Sequence, residues 1–124
     1  MSSGNSKKKP IPFAQSFARA WKGIVHSLQT ESHLRFHFFA SLVVVGCGLI
    51  FRVKNTEWLF IIYAIGSVVI AELFNTALER AVDLSHPEYH PLAGLAKDIA
   101  SGAVLIAAIQ AVIIGIIIFG AYIF

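Results

Sequence analysis

Charge is scarce in this 124-residue chain: 14% of its residues are charged and 56% are hydrophobic. A water-soluble domain carries about 25% charged residues, and mean hydropathy here is +0.71. Unbroken runs of Ile, Val and Phe exceed what one aqueous core of this length needs, so the solvent of the fold is lipid. Cysteine is almost absent. The lone Cys47 lies in an apolar run, which excludes an intrachain disulfide, and no Cys/His metal spacing surrounds it. Also missing are a glycine-rich phosphate loop, a protein-kinase catalytic loop and a Ser/His/Asp arrangement. Any nucleotide is therefore held by something other than a P-loop or protein-kinase fold. There is no internal repeat and no low-complexity segment.

The net charge of +3 is concentrated near the N-terminus, which bears on membrane orientation rather than on nucleic acid, and no nucleic-acid partner is expected. Residues 1–10 read as a disordered basic tail. The start Lys7-Lys8-Lys9, followed by Pro10 and Pro12, does not look like a secretory signal peptide. From Phe13 the apolar residues Phe13, Phe17, Trp21, Ile24 and Leu28 recur at spacings of three and four. That stripe, with Arg19, Lys22 and His26 on other faces, predicts a surface helix over 13–29 lying at a membrane interface.

Three spanning helices follow. The first covers 34–51, about the shortest run that crosses a hydrocarbon core of roughly 30 Å. Arg52 to Thr56 forms a polar turn, with Thr56 expected to cap the next helix and Glu57 in its first turn. The second helix covers 57–83, His86-Pro87 and His90-Pro91 mark a short loop, and the third covers 92–124. The expected class is an all-α membrane protein with one domain over 11–124. Lys7, Lys8, Lys9, Arg19, Lys22 and Arg35 precede the first span, against Arg52 and Lys54 after it. This bias places the N-terminus and the 80–97 loop in the cytoplasm and the C-terminus outside.

The second span carries an acidic face. Glu72, Asn75, Glu79 and Asp83 sit at i, i+3, i+7 and i+11, an arc of roughly 80° on a helix. Ionisable groups in a span are costly and usually face a site or a polar cavity. Glu72 lies about 21 Å along the helix from Trp58, and Glu79 about 10 Å further toward the cytoplasmic surface. The shallow group is placed to meet a water-soluble cofactor and the deep one a lipid headgroup, which suits an enzyme acting on a membrane-embedded alcohol.

Lys97, Asp98 and Ser101 open the last spanning run, after Glu88-Tyr89-His90. Lysine neutralises phosphate as a point charge, and carboxylates hold Mg²⁺ beside substrate phosphates. Plainer readings stand beside it: Lys97 and Asp98 anchor the helix at the interface, and the carboxylates, Asp83 above all, pair with Arg80, Lys97 or Arg35. Glu31 gains weight as a carboxylate opposite Glu79. His26, His33 and His37 lack metal spacing and read as interfacial or structural.

The run Ala71-Glu-Leu-Phe-Asn-Thr-Ala-Leu-Glu79-Arg-Ala-Val-Asp83 resembles the signature of the prokaryotic diacylglycerol kinase family. The run from Glu88-Tyr-His-Pro through Lys97-Asp98-Ile-Ala-Ser101 resembles its second block, and Trp21-Lys-Gly with Glu31 fits its N-terminal helix. Members of that family are homotrimeric membrane kinases that use Mg²⁺ and ATP to phosphorylate a lipid alcohol. The resemblance implies a bacterial cell membrane, with Glu72 as catalytic base and Glu31 and Glu79 as metal ligands. It further implies Arg19, Glu31, Asn75, Glu79, Glu88, Tyr89, His90, Lys97 and Asp98 at the nucleotide, and Glu72 and Ser101 at the lipid. The segment Glu31 to His37 is similar to the Gram-positive branch, which phosphorylates undecaprenol, although His33 stands where that branch has asparagine. The other branch phosphorylates diacylglycerol and has a tyrosine where this chain has Arg19. A transport or accessory subunit would also explain a buried Glu72, but not Glu31, Lys97 and Asp98 together at the cytoplasmic side.

Overall fold

A computed structural model describes residues 9–124, so most of the expected basic tail lies outside the described residues. Four helices follow in order: α1 (Phe13–Thr30), α2 (Ser32–Phe51), α3 (Asn55–Ser85) and α4 (Pro91–Ile123). No strand occurs among the described residues.

Helix α1 starts directly after Pro12, whose carbonyl accepts from the amides of Gln15 and Ser16 at 3.0 and 3.1 Å. It is strongly amphipathic, and Phe13, Phe17 and Trp21 are exposed along its apolar stripe. One extended residue, Glu31, separates it from α2. The break is held by Arg35, whose guanidinium donates to the carbonyls of Leu28 and Gln29 at 3.1 and 2.9 Å. These are end-of-helix carbonyls that have no partner within α1.

Helices α2, α3 and α4 are each long and apolar enough to cross a membrane, and the chain is a multi-pass membrane protein. Between α2 and α3, Arg52 adopts the left-handed conformation (φ 53°, ψ 52°) and ends α2. The Val53 amide then turns back to the Gly48 carbonyl at 3.2 Å. Thr56 does not cap α3, contrary to expectation. The helix begins at Asn55, and Glu57 Oε1 accepts from the Lys54 amide at 2.8 Å, which draws the first turn back by two residues.

The end of the bundle at the α2–α3 turn holds the core. Val53, Ile61 and Ile118 are buried there, with Trp58, Phe51, Phe119 and Tyr122 packed around them. The Tyr122 hydroxyl donates to Glu57, pinning the end of α4 to the start of α3. Gly48 is required by packing: a Cβ on it would sit 2.6 Å from the Trp58 ring. The most extensive helix interface is that of α3 with α4. At 31 and 33 residues these two helices extend about 46 and 50 Å, well beyond a hydrocarbon core of roughly 30 Å. Their joined end carries polar residues past the apolar layer. Outward-facing Phe39, Ile50, Phe74, Ile106 and Ile117 are exposed in the single chain, as a lipid-facing surface requires.

Candidate functional site

Glu72 is the deepest of the acidic residues, 3% exposed, on the buried side of α3 with Val68 and Thr76. It lies about 25 Å from the start of that helix and about 20 Å from its end. Its carboxylate meets a partner from α2: His37 Nε2 stands 3.3 Å from Glu72 Oε1. One turn toward the loop, Asn75 Nδ2 donates to Glu79 Oε1 at 3.3 Å. That leaves Asn75 Oδ1 buried with no hydrogen-bond partner among the described residues. A buried, unpaired amide oxygen costs about 1–3 kcal/mol, so this atom is poised for a donor or a cation.

Glu72 and Asn75 line one side of an open cleft of about 370 Å³, with His33, Phe36 and His37 from α2 and Ser101 from α4 around it. Helices α3 and α4 thus bring Glu72, Asn75 and Ser101 together, and α2 adds His33, Phe36 and His37 to the wall. A separate cleft of about 280 Å³ lies at the α3–α4 loop and gathers Asp83, Glu88, Tyr89, His90 and Lys97. Lys97 Nζ donates to Asp83 Oδ1 there. His90 Nδ1 accepts from the Leu92 amide at 3.1 Å and so caps α4, with Pro91 in the first helical turn.

The remaining sequence-predicted residues are placed differently. Glu31 pairs with Arg80, Oε2 to Nη2 at 3.2 Å, and Arg80 also donates to the Thr30 hydroxyl at 2.8 Å. Arg19 is exposed on α1 and Asp98 is exposed on α4; neither lines these clefts. Within one chain the predicted residues therefore form two clusters and three outliers. Arg35, a possible partner for the carboxylates, instead caps α1.

No group of three or more His, Cys, Asp or Glu close enough to enclose a metal occurs among the described residues. Mg²⁺ seldom needs one, since it keeps several waters and takes one or two carboxylates beside substrate phosphates. Glu79 and the unpaired Asn75 Oδ1 beside it are hard oxygen donors that fit that preference, while Glu31 is held by Arg80 within the chain.

His37 is the site residue that local sequence reasoning missed, having been read as interfacial or structural. Its signal was present: it is an ionisable side chain inside a spanning run. Its partner, however, lies 35 positions away on another helix, beyond any helical periodicity.

The family model described as prokaryotic diacylglycerol kinase matches residues 18–119. The chain is 40% identical to the undecaprenol kinase of Bacillus subtilis over 96% of its own length and 97% of that protein. It is 41% identical to the diacylglycerol kinase of Escherichia coli K12 over 76% of its length and 77% of that enzyme. To the diacylglycerol kinase of Synechocystis it is 41% identical, over 81% of this chain and 58% of the relative.

Proposed function

The chain belongs to the prokaryotic diacylglycerol kinase family and is a lipid kinase, and on that premise we propose that it phosphorylates undecaprenol. The observation that carries the choice of lipid is the end-to-end likeness to a protein named undecaprenol kinase. Likeness to the Escherichia coli diacylglycerol kinase is equal in identity but covers less of the chain. Diacylglycerol is the alternative acceptor.

In the proposed reaction, Glu72 takes the proton of the lipid hydroxyl as that oxygen bonds to the γ-phosphorus of ATP. The bond from γ-phosphorus to the bridging oxygen breaks and ADP leaves. Phosphoryl transfer depends mainly on positioning and on stabilising charge, and the clefts divide this work by depth. The buried Glu72, facing Ser101 across the apolar cleft, suits a hydroxyl carried on a lipid. Lys97 with the Glu88-Tyr89-His90 segment suits the charged, water-soluble nucleotide at the loop. Glu79 and Glu31 would hold Mg²⁺, with Asn75 beside them. When bound, the ion supplies neutralisation of the phosphate oxygens and orients them for transfer.

Arg19, Asp98 and the Arg80-bound Glu31 lie apart from the two clefts within one chain. A homotrimer in the bacterial cytoplasmic membrane, with neighbouring subunits sharing a site, would bring such residues into use. The N-terminus and the α3–α4 loop are assigned to the cytoplasm and the C-terminus to the outside on the lysine and arginine bias.

The deciding experiment is a parallel phosphorylation assay with ATP and Mg²⁺, offering undecaprenol and diacylglycerol to the folded protein. Undecaprenol is expected to give the higher kcat/KM. A higher value for diacylglycerol would reverse the assignment of the lipid.

A further inference from the structure

How the buried base is held can be inferred from its contact with α2, given the reading of Glu72 as the base. The terminal torsion of a glutamate has broad, roughly two-fold minima, so its orientation must be imposed by neighbours. Along α3, Asn75 is turned to Glu79 and not to Glu72. The group that reaches Glu72 is His37, at 3.3 Å from Nε2 to Oε1. The His37 ring is itself set by an edge-on contact with Phe36, centroids 5.4 Å apart at 75°.

The position of His37 is as informative as its distance. It lines the cleft that holds Glu72 and Ser101. It also lines a second, apolar cavity of about 110 Å³ formed with Val44, Ile61, Val68, Ile114 and Phe119. His37 is therefore the polar residue at the wall between a hydrocarbon-lined space and the carboxylate. The titratable groups lining the two spaces are His33 and His37 from α2 and Glu72 from α3; α4 contributes Ser101 and no charge.

We propose that His37 is the positioning residue of Glu72, its Nε2–H turned onto Oε1 so that Oε2 faces the lipid hydroxyl. The 3.3 Å separation is long for an N–H···O bond, and contacts of this kind in free enzymes shorten once substrate is bound. A donor held on Oε1 fixes the plane of the carboxylate and leaves Oε2 free to take the proton.

The test compares His37→Ala, His37→Gln and Glu72→Gln in the full-length protein, with thermal unfolding and ATP binding as checks of folding. His37→Ala is expected to lower kcat on the order of tenfold to hundredfold, with KM for ATP unchanged. His37→Gln keeps an N–H donor of similar reach and should recover most of kcat. A wild-type kcat in a folded His37→Ala overturns the proposal. So does a His37→Gln as slow as His37→Ala, since that marks packing. If His37→Ala does not fold, His37→Leu, which fills the space without a donor, takes its place, and a wild-type kcat in it overturns the proposal. Turnover retained by Glu72→Gln removes the assignment of the base itself, a result distinct from any His37 outcome.

Discussion

Arg80 near the end of α3 and Glu31 in the break between α1 and α2 meet at 3.2 Å, 49 positions apart in sequence. The pair ties the break after α1 to the part of α3 that carries the acidic face. Through Arg80, the neighbour of Glu79 in sequence, it engages Glu31, a carboxylate proposed for metal binding. Both side chains are a third to a half exposed (33% and 46%), so Arg80→Gln should cost less than about 1 kcal/mol of stability. The effect is expected instead in the concentration of Mg²⁺ giving half-maximal rate, which should rise severalfold. Thermal unfolding in detergent and a Mg²⁺ titration of the rate measure the two. An unchanged Mg²⁺ dependence would separate Glu31 from metal binding.

Glu79 and Glu72 should fail differently. Glu79→Gln is expected to raise the Mg²⁺ requirement by about tenfold or more, with part of the rate restored at high Mg²⁺. Glu72→Gln should abolish turnover at every Mg²⁺ concentration while ATP still binds. Chelating Mg²⁺ should stop the wild-type reaction. Nucleotide binding by equilibrium titration, beside the rates, distinguishes the cases; loss of ATP binding in Glu72→Gln would exchange the two roles.

Lys97 is shared between Asp83 and the phosphates in the proposed site. Lys97→Met should raise KM for ATP on the order of tenfold or more, the scale of a lost hydrogen bond to a charged group. Asp83→Asn releases the ammonium from its partner, so KM for ATP should stay level or fall. Steady-state kinetics against ATP decide this, and a KM raised equally by both substitutions would make Asp83 part of the nucleotide site.

Gly48→Ala tests the core at the α2–α3 turn. The added methyl would sit 2.6 Å from the Trp58 ring, which is packed against Val53, Ile61 and Ile118. Overpacking of this kind costs about 1–3 kcal/mol. A lower unfolding temperature, recovered when Trp58→Leu is added, is the expected outcome. A Gly48→Ala protein as stable as the parent would show that the indole has room to move.

Much of the architecture was legible because it is local. The Phe13-to-Leu28 stripe announces α1 through a period of 3.6, and the apolar runs announce the spans through their length. Cap positions were less legible, since Glu57 reaching back to the Lys54 amide competes with Thr56 for the start of α3. The acidic face was visible as an alignment along one helix, but the environment of each member was not. Glu72 is buried beside His37, Asn75 is turned to Glu79, and Asp83 is tied to Lys97.

Sequence alone determined the solvent, the helical class, the number of spans and the arc on which Glu72, Asn75, Glu79 and Asp83 lie. These follow from composition and from rotation of 100° per residue, which need no tertiary contact. Tertiary structure decided the partners: His37 for Glu72, Arg80 for Glu31, and Ser101 across the cleft from α4. Those choices depend on where packed helices set side chains tens of residues apart, and no periodicity within a single helix encodes that.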